Sequence, residues 1–410
     1  MTELLIERLG HRGDGVATAA DGRPLFVPYA LAGETIEADI EGGSARLTQV
    51  VAASPDRIDP ACRHFGTCGG CLLQHLAPAP YAAFKRQLVI DALADRGLAP
   101  EVGEARVVPP QSRRRATFAG LMAGRRPLVG FNERGSHRLV AIEECPVVRP
   151  QLLDALPALT ALTGLVAPRK GGLDLSVTLT AGGLDVAVAG IAARDVERLR
   201  LPLIELAARF DLARLSAGNE AIVERRPAAI DIDGVAVTLP PGGFLQASAE
   251  AEAIMGELVT AAMPLKAKRV ADLFSGVGTF ALRLARQAEV LAAESEAGAV
   301  AALDRAARGM TGRHRITAER RDLARRPFVE KELEKIDAVV FDPPRAGAAE
   351  QSLWLARSKV PTVVAVSCNP ATLARDLRTL VDGGYRIETV TPVDQFLWSS
   401  HVEVVAVLRR

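Results

Sequence analysis

The C-terminal part of the chain, from about residue 241, alternates apolar strand-like runs with glycine turns and helical stretches. The candidate buried strands are residues 269–274, 290–294, 338–342 and 362–366, and a helical stretch from Phe280 to Gln287 follows the first turn. Alternating β and α units favour a doubly wound, mostly parallel sheet with helices on both faces. Ligands of such sheets bind at the carboxyl ends of the strands, so functional side chains are expected there.

The first region, residues 1–58, has a different pattern of short strand-like runs between glycine-containing turns. These runs are residues 4–6, 24–28, 35–40 and 45–50. Closely spaced short strands predict a small β-barrel, for which a five-stranded oligonucleotide-binding (OB) type is one option and a purely structural barrel another.

The middle region, residues 59–240, combines a helical stretch from Tyr81 to Arg96 with alternating strand patterns. Two of these patterns, residues 175–179 and 184–189, are joined by Thr180-Ala181-Gly182-Gly183, which is typical of a hairpin. The region is therefore predicted to be antiparallel α+β. The sequence predicts three domains, with bounds at 1–58, 59–240 and 241–410.

Composition excludes several classes of protein. The 410 residues contain no run of eighteen apolar side chains, and Met1 to Gly10 lacks the apolar core of a signal peptide, so a cytoplasmic protein without membrane contact is expected. The net charge is only +1, whereas nucleic-acid-binding proteins are usually basic. Local arginine patches still offer phosphate contacts, or else simply a solvated face. They are Arg113 to Arg115, Arg125 with Arg126, and Arg320, Arg321, Arg325 and Arg326.

The five cysteines are unevenly spaced. Cys62, Cys68 and Cys71 lie within ten residues, whereas Cys145 and Cys368 stand alone. In a cytoplasmic protein this spacing indicates metal binding or catalysis rather than disulfides. Three clustered thiols and one distant thiol would make a four-thiolate site. Zinc and an iron–sulfur cluster are both open at this point, because His64 and His75 are also near.

The glycine turn after the first C-terminal strand is Gly276-x-Gly278, without the third glycine of a dinucleotide site or the lysine of a phosphate loop. Asp272 precedes the turn, and Glu294 ends the next strand, where a carboxylate can accept both ribose hydroxyls. Asp322 follows a third strand, where side chains commonly meet an adenine edge. This pattern favours S-adenosylmethionine over NAD, with another kind of nucleotide as the alternative.

Cys368 ends an apolar strand, and Asn369-Pro370 favours the start of a helix directly after it. The helix dipole is expected to lower the thiol pKa, although a buried structural cysteine is the alternative. Glu403 lies in an apolar strand pattern, where a buried carboxylate is costly. It therefore either has a functional role or faces solvent on an edge strand. A thiol nucleophile and a carboxylate base fit methylation at carbon 5 of uracil, in which the thiolate adds to carbon 6 and the base later removes the carbon-5 proton.

Ordered motifs along nearly the whole chain resemble the iron–sulfur branch of the RNA uracil-5-methyltransferases that act on 23S ribosomal RNA. They are Cys62-x5-Cys68-Gly69-Gly70-Cys71-x2-Gln74-His75, Ser136-His137 with Cys145, Gly243-Phe244-Leu245-Gln246, Asp272 to Phe280, Asp342-Pro343-Pro344-Arg345, Ser367-Cys368-Asn369-Pro370, and Asp394-Gln395-Phe396 ahead of His401-x-Glu403. The sequence departs from the family pattern at Ser275, at Thr279 and at Leu397-Trp398-Ser399.

The resemblance implies a monomeric enzyme with an N-terminal TRAM domain that binds RNA, a central iron–sulfur domain and a Rossmann-like methyltransferase domain. It implies that Cys368 is the nucleophile and Glu403 the general base. It also implies a [4Fe–4S] cluster on Cys62, Cys68, Cys71 and Cys145. The S-adenosylmethionine site that it implies is Gln246, Phe274, Thr279, Glu294, Asp322 and Asp342. Transfer RNA is the alternative substrate, and a non-catalytic iron–sulfur RNA-binding protein is the alternative from another class.

Overall fold

The computed structural model describes residues 2–41, 44–168 and 171–410, and within these ranges the strands form four sheets. No helix in the described ranges has both the length and the apolar character needed to cross a bilayer.

The N-terminal region forms a six-stranded sheet with the order β1-β5-β6-β4-β3-β2. Its strands are β1 (Thr2–Leu5), β2 (Arg8–Leu9), β3 (Gly15–Thr18), β4 (Pro24–Val27), β5 (Thr35–Glu41) and β6 (Ser44–Ala52). Strands β2 and β3 were not among the predicted runs, because they are short and lie in polar, glycine-rich sequence. The sheet encloses a small apolar core that includes Ile6, Val27 and Ile36, each fully buried. Within the described residues the region is therefore all-β, with six strands where the OB-type option has five, and the barrel itself stays a prediction.

The middle region is built on a seven-stranded sheet with the order β10-β9-β8-β11-β12-β13-β14. Its elements are α1 (Pro78–Ala94), β7 (Arg106–Val107), β8 (Arg115–Ala123), β9 (Arg126–Asn132), β10 (Leu139–Ala141), α2 (Pro150–Leu153), α3 (Leu156–Val166), β11 (Leu173–Thr180), β12 (Gly183–Ala189), α4 (Ala193–Arg198), α5 (Arg200–Arg209), β13 (Arg214–Ala217), β14 (Glu220–Glu224), β15 (Ala229–Ile232) and β16 (Val235–Thr238). The predicted hairpin is present as β11–β12, with Thr180 opposite Gly183. The sheet is antiparallel except for the parallel pair β12–β13.

The C-terminal region contains an eight-stranded sheet with the order β19-β18-β17-β20-β21-β23-β22-β7. Its elements are α6 (Ala249–Ala262), β17 (Arg269–Leu273), α7 (Ala281–Leu284), β18 (Glu289–Glu294), α8 (Ala297–Gly309), β19 (Ile316–Arg320), α9 (Glu330–Leu333), β20 (Ala338–Phe341), α10 (Ala349–Arg357), β21 (Thr362–Ser367), α11 (Pro370–Asp382), β22 (Arg386–Asp394) and β23 (Glu403–Arg409). The strands from β19 to β21 are parallel, which confirms the predicted doubly wound sheet. Strand β23 is antiparallel to both of its neighbours.

Two segments N-terminal to residue 240 pack into the C-terminal sheet. Strand β7 pairs with β22, and Val89 and Leu93 of α1 join the apolar core on one face of the sheet. Residues from the β15–β16 hairpin, including Ile230 and Val237, join the core on the other face. Parts of the predicted 59–240 region are thus built into the C-terminal layer structure, and this fixes the middle region against the edge where β20, β21 and β23 meet.

Arg214 ties the middle sheet to the segment that leads into the C-terminal region. Its guanidinium donates to both carboxylate oxygens of Asp185 at 2.8 and 2.7 Å and to the carbonyl of Leu239 at 2.7 Å. The Arg214 and Asp185 side chains are only 2 % and 6 % exposed. Removing one partner would leave the other charge buried and uncompensated.

We therefore predict that Arg214→Met lowers the free energy of unfolding by about 3–5 kcal/mol. Urea unfolding followed by circular dichroism measures this loss. The matched control is Arg23→Met, which removes an exposed pair with Asp21 and should leave the urea midpoint nearly unchanged. Equal midpoints for the two variants would contradict the stabilising role of Arg214.

Candidate active site

Three functional side chains predicted from the sequence meet at one edge of the C-terminal sheet. Asp342 directly follows β20, and Cys368 follows β21, the neighbouring parallel strand. Strand β23 runs in the opposite direction beside β21, and Val404 pairs with Ser367. The first residue of β23, Glu403, therefore lies at the edge where the parallel strands end. Topology thus brings together a thiol and two carboxyl groups that are far apart in sequence.

Glu403 lies on an interior strand, so the alternative of a solvent-facing edge residue is wrong. Its side chain is 3 % exposed, and Oε1 accepts a hydrogen bond of 2.8 Å from Gln395 Nε2. Among the described residues, no donor lies within hydrogen-bonding distance of Oε2. Burial and the nearby Asp342 raise the pKa of Glu403 to about 8. With this pKa the group is largely protonated at pH 7 in the free protein, and its ionised form is a stronger base than an ordinary carboxylate.

A chain of two amides connects the carboxyl groups. Gln395 Nε2 also donates to Gln246 Oε1 at 2.7 Å, and Gln246 Nε2 donates to Asp342 Oδ2 at 3.0 Å. Gln395 Oε1 accepts from the backbone N–H of Ala247 at 2.9 Å. Burial raises the pKa of Asp342 to about 7, with the Gln246 amide acting in the opposite direction. The two buried carboxyl groups are therefore held in one network by side-chain amides.

The environment of Cys368 corrects one expectation from the sequence. Asn369 does cap α11 as predicted, with its Oδ1 accepting from the N–H of Ala371 at 3.2 Å. Burial, together with the nearby Glu403 and Asp342 and against the opposing effect of Arg345, nevertheless raises the pKa of Cys368 to about 11. The predicted lowering by the helix dipole is therefore outweighed by burial and by two carboxylates. The thiol is protonated at neutral pH unless bound ligands change its surroundings.

The backbone of the glycine turn after β17 has a conformation that would let a ligand come close to it. Phe274, Gly276 and Gly278 all have positive φ values, of 62°, 55° and 102°. A Cβ at Gly278 would lie 2.5 Å from Leu303 Cδ1 of α8, so only glycine fits there, whereas a Cβ at Gly276 would point into open space. Glu294 fixes the turn, because its Oε2 accepts from the N–H of Gly276 at 3.1 Å.

Asp272, below this turn, is fully buried, and among the described residues no well-aligned hydrogen bond reaches its carboxylate oxygens, although the nearby backbone N–H of Ala281 favours the charged form. Burial raises its pKa well above the ordinary value, and Asp342 and Glu294 add to this effect. A buried carboxylate that has only the Ala281 N–H close to it is costly, which points to a ligand with polar groups at this place.

The other predicted cofactor residues border the same strand ends. Thr279 is partly buried within the glycine turn. Asp322 is exposed after β19, where its Oδ1 accepts from the N–H of Ala324 at 3.1 Å. Gln246 is only 3 % exposed and is held in the amide chain. The structure therefore places all six predicted cofactor residues along one edge of the sheet or, for Gln246, against it.

Cys62, Cys68, Cys71 and Cys145 line one cavity of about 330 Å³ in the middle region. The loops that carry them are fastened together: Glu144 accepts from the N–H of Arg63 at 2.7 Å, and Gly69 N–H donates to the carbonyl of Asn132 at 2.9 Å. Burial raises the pKa of Cys71 to about 12. Cys145, which is distant in sequence, thus lies in the same cavity as the three clustered cysteines.

The predicted metal centre is not confirmed by the side-chain geometry. Within residues 2–41, 44–168 and 171–410, no group of three or more His, Cys, Asp or Glu side chains is arranged to hold a metal ion. His75, a possible zinc ligand in the sequence, is fully buried, and burial lowers its pKa to about 4. His64 Nε2 accepts from the N–H of Glu143 at 3.2 Å. Four thiols remain as a donor set that suits an iron–sulfur cluster chemically.

Aromatic rings and arginines surround the way into the site. The Arg115 guanidinium lies 5.9 Å from the ring centroid of Phe244, which is 69 % exposed. Arg113, which also lines the cysteine cavity, lies 6.0 Å from the ring centroid of Phe396. Arg345 contacts His401 Nε2 at 3.3 Å. A cationic and aromatic rim of this kind suits a nucleobase and its phosphates.

The roles of several residues around the site were not predicted from the sequence. Gln395 and Arg345 stand inside recognised motifs, but nothing in the sequence shows that Gln395 binds the Glu403 carboxylate or that Arg345 acts on the thiol. Lys85 and Tyr81 lie on α1 and are fully or almost fully buried against the loop before Glu403. A lysine on a helix normally faces solvent, so the sequence carries no signal for this burial.

The sequence model of the family described as tRNA (uracil-5-)-methyltransferase matches residues 198–410. A protein of Brucella suis described as an uncharacterised RNA methyltransferase is 50 % identical over 408 residues, covering 100 % of this chain and 98 % of the relative. The chain belongs to this family. It is a member of the S-adenosylmethionine-dependent RNA uracil-5-methyltransferases.

Two further relatives have more specific descriptions. The 23S rRNA (uracil(1939)-C(5))-methyltransferase RlmD of Pseudomonas entomophila is 38 % identical over 426 residues, covering 98 % of this chain and 92 % of the relative. The crystal structure of the Pyrococcus abyssi tRNA (uracil-54, C5)-methyltransferase with S-adenosyl-L-homocysteine superposes with a TM-score of 0.77 at 23 % identity and covers 99 % of both chains. This second likeness supports the mixed α/β methyltransferase fold.

The raised thiol pKa predicts slow chemical modification of Cys368 in the free protein. Its alkylation by iodoacetamide should rise with pH through the whole range from 7 to 10, because only the thiolate reacts. Glu403→Gln should increase the rate several-fold at pH 8, since it removes a nearby negative charge. Peptide mass spectrometry, with Cys368→Ser to identify the signal, measures the rate.

Glu388→Gln is the matched control, because Glu388 pairs with Arg409 on the protein surface. It should leave the alkylation of Cys368 unchanged. A rate that levels off below pH 8 would contradict the raised pKa.

Proposed function

We propose that this protein methylates carbon 5 of a specific uridine in 23S ribosomal RNA through a covalent adduct between Cys368 and carbon 6 of the base. The observation that carries the proposal is the meeting of Cys368, Glu403 and Asp342 at one sheet edge in a chain of the uracil-5-methyltransferase family. Ribosomal RNA is favoured as the substrate because a relative with that description aligns along nearly the whole chain.

Cys368 is the nucleophile in the proposed reaction. Its thiolate adds to carbon 6 of uracil, and the electron pair moves to carbon 5 and oxygen 4, which makes carbon 5 nucleophilic. S-adenosylmethionine supplies the methyl group to carbon 5. Glu403 then removes the carbon-5 proton, the bond between carbon 6 and sulfur breaks, and the thiolate is released with 5-methyluridine.

The charges around Cys368 determine how readily its thiolate forms. In the free protein two carboxyl groups oppose the thiolate, and the Arg345 guanidinium is the cation that favours it. The same guanidinium also lowers the pKa of Glu403. Arg345 is therefore proposed to stabilise both anionic groups of the reaction, and its place beside His401 keeps it at the rim of the pocket.

The S-adenosylmethionine site is proposed at the glycine turn and the adjoining strand ends. Glu294 would accept the ribose hydroxyls, Asp322 would meet the adenine, and Phe274 and Thr279 would border the cofactor. Gln246 and Asp342 would face the part nearest to Cys368. The open space at Gly276 and the buried Asp272 carboxylate, which has no well-aligned hydrogen bond among the described residues, support a polar ligand at this position.

A [4Fe–4S] cluster is proposed on Cys62, Cys68, Cys71 and Cys145, because these four thiols line one cavity. The four thiolates would hold such a cluster as its protein ligands. Methyl transfer needs no electron, so the proposed role of the cluster is structural: it would fix the cysteine-bearing loops. Arg113 lies between these loops and the candidate site, because it lines the cysteine cavity and its guanidinium is near the Phe396 ring.

RNA is proposed to bind across the rim of Arg113, Arg115 and Phe244, with the N-terminal sheet as a TRAM-like module beside it. Carbons 5 and 6 are reached only when the uracil leaves its stack, which costs roughly a few kcal/mol. The exposed ring of Phe244 can offset part of this cost by stacking. Transfer RNA is the second candidate substrate, favoured by the description of the matching family. Mapping 5-methyluridine in both RNAs of a deletion strain distinguishes the two.

RNA with 5-fluorouridine at the target position tests the covalent mechanism. After methylation its carbon 5 has no removable proton, so enzyme and RNA should stay joined and run together on a denaturing gel. Cys368→Ala should abolish the adduct. Glu403→Gln should instead accumulate adduct on ordinary uridine, because elimination waits for the proton to be removed. An adduct that persists in Cys368→Ala would overturn the assignment of the nucleophile.

Anaerobic purification tests the cluster. The protein should be brown and contain about four irons per chain. Cys145→Ser should lose iron, melt at a lower temperature and bind RNA more weakly, whereas Cys368→Ala is the control that should keep the full iron content. One zinc per chain without iron would refute the proposal.

A further inference from the structure

A buried ion pair lies beneath the loop that leads into Glu403. Lys85 Nζ of α1 donates to Asp394 Oδ1 at 2.9 Å, and both side chains are 0 % exposed. The Tyr81 hydroxyl, one turn earlier on α1, donates to the other Asp394 oxygen. Asp394 is the last residue of β22, and Glu403 is the first residue of β23. The loop of residues 395–402 spans the short distance between these two strands.

The same three residues hold the loop at several points of its backbone. Lys85 Nζ also donates to the carbonyl of His401. The Tyr81 hydroxyl accepts from the N–H of Trp398 at 2.7 Å, and Asp394 Oδ1 accepts from the N–H of Phe396 at 3.0 Å. The loop is thereby fixed near its beginning, its middle and its end.

The middle of the loop has an unusual backbone conformation and contacts the cysteine-bearing segment. Trp398 has a φ of 60°, which is costly for a bulky residue. Its carbonyl accepts from the N–H groups of Leu72 and Leu73 at 2.7 and 3.1 Å, directly after Cys71. The loop is therefore held between α1 and the cysteine-bearing segment.

Stability alone does not explain a buried charge pair at this position. Two charges lose their hydration on burial, and replacing such a pair with apolar residues is often neutral or stabilising. The Lys85–Asp394 pair instead fixes the backbone conformation of the 395–402 loop. Gln395, the first loop residue, donates to Glu403, and His401 near its end contacts Arg345.

We propose that Tyr81, Lys85 and Asp394 form a positioning unit that orients Glu403 for removal of the carbon-5 proton. The proposal rests on the proposed function, because it assumes that Glu403 is the base. The three residues touch neither substrate nor cofactor and act through the 395–402 loop. A loosened loop would also reach Arg345 through His401 and Gln246 through Gln395, but it would slow the step that needs Glu403 more than the addition of Cys368 and methylation, because Glu403 directly follows the loop.

Tyr81→Phe tests this unit with a small change that removes one hydroxyl. It should lower kcat roughly tenfold, since small misplacements of reacting groups have effects of this size or larger, with little change in KM for RNA. The enzyme–RNA adduct on ordinary uridine should accumulate, as in Glu403→Gln. The matched control is Tyr385→Phe, because Tyr385 is equally buried and its hydroxyl donates to the Val360 carbonyl at 2.7 Å, away from the site. It should not accumulate adduct.

A second variant, Lys85→Gln with Asp394→Asn, removes both charges together and leaves no unpaired buried charge. It should show the same accumulation of adduct. If neither variant accumulates adduct while Glu403→Gln does, the positioning unit is refuted and the proposed function stands. If Glu403→Gln itself accumulates none, the assignment of the base fails, and the positioning unit fails with it.

Discussion

The antiparallel pairing of β23 with β21 is the constraint on which the candidate site depends. In a purely parallel sheet, the beginning of a strand lies at the edge opposite to the ends of its neighbours. Because β23 is reversed, its first residue lies where β20 and β21 end, and Glu403 comes beside Cys368. Two carboxyl groups and a thiol are then buried together, and burial raises the pKa of all three groups. The nearby Asp342 raises the pKa of Glu403 further, and both carboxyl groups act in the same direction on the pKa of Cys368.

These three buried acidic groups are connected to their surroundings by several hydrogen bonds and by one nearby cation. The amides of Gln246 and Gln395 hold the carboxyl groups by direct hydrogen bonds. Arg345 is the cation that favours the charged forms of Cys368 and Glu403. Behind the site, the Lys85–Asp394 pair fixes the loop that ends at Glu403. The middle region contributes to the site through α1 and through Arg113, so its cysteine-bearing loops and the catalytic edge form one continuous structure.

Much of the fold and of the site could be predicted because it is encoded locally. The strands β20 and β21 are almost entirely apolar, β17 and β18 have apolar centres, and Asn369-Pro370 marks a helix start by its own backbone chemistry. The strands β2 and β3 were not predicted, because Arg8–Leu9 has only two residues and Gly15–Thr18 lies in polar, glycine-rich sequence. The direction of the pKa shift of Cys368 was predicted wrongly for another reason. The sequence shows that a helix starts after Cys368, but not that two carboxyl groups lie near the thiol through tertiary contacts.

The central claim is that Cys368 and Glu403 act in successive steps on one covalent adduct, and release of the carbon-5 hydrogen measures this most directly. RNA with tritium at carbon 5 of the target uridine and a labelled methyl donor report the two steps separately. The wild-type protein is predicted to release one tritium for each methyl group transferred. Glu403→Gln is predicted to transfer the methyl group into an enzyme–RNA adduct while tritium stays on the RNA. Tritium release by Glu403→Gln at the wild-type rate would contradict the account.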